Sequence, residues 1–427
     1  MKKHPFLIFS YLLACIGLML LSCEKSLEMS VSAKEVIFDA YPDEAQSIDI
    51  RANVAWTIKV IPADDWLAVE PVQGKGDATI SFIADEYAAF TGGRSTFITI
   101  SGEGTQTDTI KVTQRVGTDV AEEIEDEIFR QYCLDEFDRS PTDGKLSLKE
   151  VRGVSVLDVK GLGITSLAGV EYFSNLNDLN CSTNLLESID ISKNKNLLVL
   201  DCSYNESLAD IDVSENVMLT DLTLWGVSLR NIDVRQNTAL RLLVISNNPV
   251  GTLDVSANRE LDYLNCNETE LTQLDVGYNV KLRSLYCANN QLSTLDVSKN
   301  TSLGLLWCDN NSLVNINLFQ NLELETLSCS GNRIETLDVS RNVMLISLYC
   351  DRNRLTTLDV RQNTKLREIT CSSNNLTGSI DLSLNKLQRF NFKNNPLLNT
   401  IYIWPDFPIP PNGDYYQTDS PPPTYYQ

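Results

Sequence analysis

Leu282-Arg-Ser-Leu285-Tyr-Cys287-Ala-Asn-Asn290-Gln-Leu292-Ser-Thr-Leu295-Asp296-Val297-Ser-Lys-Asn300 is one copy of a 21-residue pattern that runs from about Leu157 to Phe392. The pattern is L-x-x-L-x-C-x-x-N-x-L-x-x-L-D-V-x-x-N-x-x. Its apolar positions recur in register, so each copy is one coil of a solenoid. A single coil cannot bury its apolar face; stacking on neighbours makes a continuous core. Such stacks present long concave surfaces, which points to binding rather than catalysis.

The register extends to the polar positions. The Asp of L-D-V recurs at Asp190, Asp212, Asp233, Asp254, Asp275, Asp296, Asp338, Asp359 and Asp381, with Asn317 in the missing place. The second inward position of each short strand holds Cys181, Cys202, Leu224, Ile245, Cys266, Cys287, Cys308, Cys329, Cys350, Cys371 and Phe392. Leu, Ile and Phe replace Cys there, so the place calls for a moderately sized apolar group. Two corners carry Asn columns, one from Asn184 to Asn395 and one from Asn194 to Asn385. Asn suits a corner because its amide donates and accepts and because it tolerates left-handed backbone.

The pattern resembles the leucine-rich repeat family in its short bacterial, internalin-like form, and the segment from Leu157 to Phe173 resembles the first repeat of that group. The resemblance implies a parallel sheet on the concave side and short turns or helical pieces on the convex side. About twelve strands at ~4.8 Å spacing give an arc of roughly 50 Å. We assign residues 154–403 to this solenoid and 404–427, rich in Pro and Tyr, to a C-terminal tail.

Residues 27–117 read as a β-sandwich. Alternating runs such as Ser47-Ile-Asp-Ile50, Trp56-Thr-Ile-Lys-Val60, Trp66-Leu-Ala-Val69 and Thr96-Phe-Ile-Thr-Ile100 are separated by turns such as Gln73-Gly-Lys-Gly76. About seven short strands at this spacing fit an immunoglobulin-like fold. Trp56, Trp66, Pro71-x-x-Gly74, Arg94-Ser95 and Val112-Thr-Gln114 resemble the BACON family of gut-bacterial lipoproteins. That resemblance implies an association with carbohydrate or a role as a stalk. Both tryptophans are expected in the core.

Between the two domains, residues 118–153 read as a helical cap. Ala121, Ile124, Ile128, Cys133 and Phe137 suit one amphipathic helix, with Asp119 as its N-cap. Asp138-Arg-Ser-Pro-Thr-Asp143-Gly144-Lys-Leu-Ser147-Leu-Lys-Glu150 follows. Counted back from Gly144 and Glu150 it fits the second half of an EF-hand calcium loop, but forward from Asp138 it is one residue too long. Asp138, Asp143 and Glu150 are the groups that would hold calcium, and the extra residue predicts weak binding or none. No other cofactor is expected.

The N-terminus is basic at Met1-Lys-Lys-His4, apolar from Pro5 to Leu21, and ends in Leu20-Leu21-Ser22-Cys23. That is the form of a bacterial lipoprotein signal over residues 1–22, with Cys23 lipidated and 23–26 as linker. The apolar run is marginal for a membrane span. Outer-membrane anchoring through the lipid alone, with display at the cell surface, is the expectation. Loss of Lys2 and Lys3 leaves 33 basic against 57 acidic groups, a net charge of −24. Nucleic acid is an unsuitable partner for such a chain. The single histidine, His4, lies in the signal. The usual general base, the Ser-His-Asp and Cys-His systems and most zinc sites are therefore excluded from the mature chain. We read the protein as no enzyme.

Eleven cysteines in an exported chain invite disulfides. Here eight stand in one column whose parallel Cβ vectors do not suit bridges, so buried thiols are expected. The ligand is sought on the concave face. Tyr286, Trp307 and Tyr349 fall at outward strand positions, Tyr263 just before its Leu, and Trp225 just after inward Leu224. Asp309 and Asp351 flank them as acceptors for ligand hydrogen bonds. A protein or peptide ligand leads, because exposed Trp and Tyr dominate such interfaces. A glycan stacked on the same rings is the alternative.

Overall fold

The computed structural model describes residues 26–427 except 43, 64, 88, 140–141, 406, 408–415, 419–423 and 427. The signal segment, His4, Cys15 and Cys23 lie outside the described residues. The chain divides into two compact units, Met1–Thr118 and Asp119–Gln427.

In the first unit two sheets share one core. One sheet orders the strands Met29–Val31, Gln46–Ala52, Ala78–Ala84 and Leu67–Glu70; the other orders Glu35–Phe38, Asp108–Gln114, Arg94–Gly102, Ala55–Ile61 and Gln73–Lys75. All pairs are antiparallel except Glu35–Phe38 with Asp108–Gln114. Alternate residues point inward, so Phe38, Ile50, Trp56, Ile80, Phe82, Ile98, Ile100 and Ile110 pack together. Residues 73–76, expected as a turn, instead place Gln73–Lys75 in an edge strand beside Trp56. Gly74 allows this approach: a Cβ there would lie 2.3 Å from Cζ2 of Trp56. Trp56 is core as expected, its indole N–H donating to the Gly76 carbonyl at 2.9 Å. Trp66 packs against the same core from its rim, half-buried, with the Arg94 guanidinium 4.6 Å from its ring and 4.6 Å from Tyr87.

In the second unit twelve three-residue strands, from Val156–Asp158 to Arg389–Asn391, and the pair Tyr416–Gln417 form one parallel sheet. Each central Leu, Ile or Phe points into the core and its two neighbours point out, as the period of two requires. The Cys column is fully buried beneath. Burial pushes the Cys266 thiol up to about 12 and raises Cys287, Cys308 and Cys329 as well. The eight thiols are free, and Sγ of Cys181 and Cys202 lie 3.4 Å apart.

The two Asn columns tie coil to coil in different ways. Asn311 donates from Nδ2 to the carbonyls of Cys287 and Cys308 and accepts from Leu292 N–H at 2.9 Å. In the second column only the donor half is used: Asn300 donates to Val276 and Asn279. Among the described residues, Oδ1 of nine members of that column, Asn300 included, has no hydrogen-bond partner. The L-D-V acids close a turn, as where Asp296 accepts from Ser298 N–H at 2.9 Å.

The N-terminal end is sealed by three helices, Val120–Glu123, Glu127–Phe137 and Leu148–Arg152, capped by Asp119, Asp126 and Ser147. The single helix expected here is broken. Ile124 takes extended backbone, and Asp126 starts a second helix. The break shifts the helical phase, so Phe129 and Cys133 face the core while Ile128 is 45% exposed. Phe129 and Phe137 lie 6.4 and 5.8 Å from the ring of Phe173 in the first coil. At the other end Leu397–Tyr402 pairs with Thr377–Asp381, and Trp404, Phe407 and Tyr416 pack toward Phe390. This closure reaches past residue 403, where we placed the end of the solenoid. Among the described residues no helix is long and apolar enough to cross a membrane.

Candidate functional site

Cross-strand register decides which rings meet. Asn265 stands opposite Tyr286, Tyr286 opposite Trp307, Trp307 opposite Ser328, and Ser328 opposite Tyr349. Leu306 and Cys308 are fully buried on either side of Trp307, so its ring stays on the concave face, 39% exposed. Tyr286 lies 5.3 Å from Trp307 and 5.3 Å from Tyr263, making a continuous row of three rings. Tyr349 stands apart, donating to Glu368 at 2.6 Å, its phenol pushed up by burial and by Glu368.

Trp225 belongs to a second group. Its ring is 43% exposed and meets Tyr204 edge-on at 4.8 Å. Tyr204 escaped the sequence reading, although it carried a signal. It occupies the corner where other coils place Thr183, Asn247, Asn289 or Ser373, and its φ is +57°. A bulky residue is uncommon in left-handed backbone. Together with Tyr263, these rings border a groove of about 540 Å³ floored by Thr223, Val244, Ser246 and Asn265, with Asp201 and Glu268 also in its lining.

The flanking acids do not serve the role expected of them. Asp309 accepts from Ser328 Oγ at 2.7 Å and from Ser330 N–H at 2.6 Å; burial raises its carboxyl while these bonds oppose the shift. Asp351 accepts from Ser372 N–H and Oγ, both at 2.7 Å, and from the Thr370 hydroxyl. Both carboxylates bracket the next coil instead of reaching toward a ligand.

The calcium-like turn is likewise closed on itself. Asp138 accepts from the N–H groups of Asp143 and Gly144, and Glu150 accepts from Ser147 and from Arg139 N–H. Among the described residues, no group of three or more His, Cys, Asp or Glu is arranged to hold a metal ion.

Comparison with known proteins matches this architecture. The functional domain of InlJ from Listeria monocytogenes, whose structure includes a cysteine ladder, is 30% identical, with a TM-score of 0.63 over 70% of this chain and 70% of that one. The chain belongs to the internalin-type leucine-rich repeat proteins. A leucine-rich repeat protein of Leptospira interrogans is similar at 26% identity, with a TM-score of 0.51 over 54% of this chain and 64% of that one. The internalin InlF of Listeria monocytogenes shares the fold at 17% identity, with a TM-score of 0.52 over 71% of this chain and 93% of its own. Residues 55–115 match the BACON family, an N-terminal domain described by a proposed binding role. No curated protein matches the chain. In this internalin-type chain the cysteines stack along the solenoid beneath the concave sheet, a column comparable with the cysteine ladder of the InlJ domain.

Proposed function

We propose that the concave face of the repeats recognises a protein or peptide ligand. The chain would be held at the bacterial surface through a lipid on Cys23, with the BACON-like domain as spacer. The row Tyr263, Tyr286 and Trp307 carries this reading. Contiguous half-exposed rings on a rigid sheet, led by exposed Trp307, are the residue types that dominate protein interfaces. A binding role rather than catalysis is supported by the absence of histidine after His4. The test is capture from host and bacterial lysates beside a glycan array. A protein captured by the intact chain and lost with Trp307→Ala or Tyr286→Ala, at unchanged melting temperature, supports the reading. Capture that survives both variants would falsify it.

A glycan is the second reading, favoured by rings beside a floor of hydroxyl and amide groups in the groove at Trp225. Lipid anchoring is tested separately. Cys23→Ala should release the protein into the soluble fraction or leave it as a longer precursor, whereas unchanged processing and detergent partitioning would rule the anchor out.

A further inference from the structure

The groove beside Trp225 differs from the rest of the concave face in three ways. Its floor is small: Thr223, Val244, Ser246 and Asn265 leave open the space that larger side chains would fill. Trp225 borders it on one side, while Tyr263 stands two strands on in line with Asp221, four residues out of register with Trp225, so a planar or rod-like group lies along the Trp225 ring. It also lies beside acids that form no ion pair among the described residues.

Asp158, Asp178, Asp201 and Asp221 occupy outward positions on four consecutive strands, one on each. Asp201 and Glu268 line the groove itself, and Lys160 is the one basic residue in that lining. Among the described residues no lysine or arginine pairs with Asp178, Asp201, Asp221 or Glu268, although ion pairs such as Arg283–Asp262 form on the next coils. Asp178 is raised by burial and by the charges of Asp158 and Asp221, so the cluster repels itself as it stands. A neutral sugar would leave that repulsion in place. A cation would relieve it and would also be attracted to the ring faces.

We propose that this groove seats an arginine or lysine side chain of a protein or peptide ligand, its stem along the Trp225 ring and its charge toward Asp201, one strand away. The proposal rests on the concave-face reading and narrows it to a basic partner.

The test uses the whole chain and labelled peptides in which glycine alternates with arginine, glutamine or glutamate, with a neutral hexose oligosaccharide beside them. Binding is followed by fluorescence anisotropy or, for the sugar, by calorimetry. The arginine peptide should bind roughly tenfold or more tightly than the glutamine peptide and weaken as salt rises above about 0.15 M. General attraction to an acidic protein is separated by Trp225→Ala, which leaves the charge unchanged and should cost roughly tenfold in affinity for the arginine peptide. Trp225→Phe should retain most of the binding, and Asp201→Asn should lose a comparable factor. Tyr278→Ala and Asp338→Asn, outside the groove, should bind as the parent does. Equal affinity for the arginine and glutamine peptides, preference for the oligosaccharide, no binding of any probe, or full arginine-peptide affinity in folded Trp225→Ala would overturn the proposal. Loss of a captured protein ligand in Trp307→Ala but not in Trp225→Ala would sink the groove alone and leave the broader concave-face reading standing.

Discussion

Along the first four strands of the concave sheet, Asp158, Asp178, Asp201 and Asp221 face outward with no basic partner among the described residues. Farther along, Asp309 and Asp351 spend their oxygens on Ser328, Ser330, Thr370 and Ser372 of the next coil. The backbone is the same in both halves. What differs is the place of the acid in the coil. A residue directly after the inward Cys lies beside the backbone N–H of the following coil. Ser330 accepts there from Asp351 N–H, and Ser203 accepts from Trp225 N–H. An acid in that place is structural. An acid within the first strands accepts from its own coil instead, as Asp201 does from Ser203 N–H at 2.9 Å and Asp221 from the Thr220 hydroxyl at 2.6 Å. The same residue type therefore has two roles, separated by a few residues of register.

Four measurements sharpen or break this comparison. The largest effect should be equal in both halves. Leu222→Ala and Leu306→Ala each remove a fully buried side chain and should cost about 2–5 kcal/mol in urea unfolding. A much smaller loss in one half would mean that the two differ in core packing and not only at the surface. Next, Asp309→Ala and Asp351→Ala should each cost about 1–3 kcal/mol, because nearly buried donors at Ser328, Ser330 and Ser372 lose their acceptor. Asp201→Asn and Asp221→Asn should stay within about 0.5 kcal/mol. Equal losses in the two sets would erase the distinction drawn here.

Titration gives a smaller and more selective signal. Asp178 and Asp309 are both raised, first by burial; Asp178 is raised further by Asp158 and Asp221, and Asp309 by Asp351 against the lowering hydrogen bonds from Ser328 and Ser330. For a raised carboxyl the protonated form favours the fold. That stabilisation is present below the ordinary value near ~3.9 and is lost as pH rises through the folded value. Asp221→Asn should bring Asp178 down in carboxyl-carbon NMR and leave Asp309 where it was. The L-D-V acids have the opposite sign. Asp296 is lowered by Ser298, so its contribution is present above the ordinary value and lost as pH falls through the folded one. The smallest expected difference concerns the thiols. Cys202 in one half and Cys329 in the other are equally buried and raised. Native labelling should be slow for both and complete after unfolding without reductant. A fast-reacting column, or mapped disulfides, would contradict free buried thiols in either half.

Most of the solenoid was legible because every coil repeats the same local problem. The period placed Leu306 and Cys308 inward and Trp307 outward, and the register followed from a constant spacing. The cap was less legible. One amphipathic pattern from Ala121 to Phe137 conceals a break at Ile124, and Asp126 as a second N-cap shifts which face is buried. Trp66 packs against the core but is only partly buried, for a related reason. Aromatic content argues for the core, but the stacking of Arg94 on its ring brings together residues far apart in sequence.

From sequence alone came the repeat, the inward thiol column, the outward aromatics and the family, because each depends on spacing within one coil. Tertiary structure alone decided which aromatics touch, which acids are consumed and where the concave face opens into a groove. Tyr204 joins Trp225 across one coil boundary, and Asp309 meets Ser328 and Ser330 across another. Those contacts depend on side-chain size and direction in neighbouring coils, which a pattern read one coil at a time does not contain.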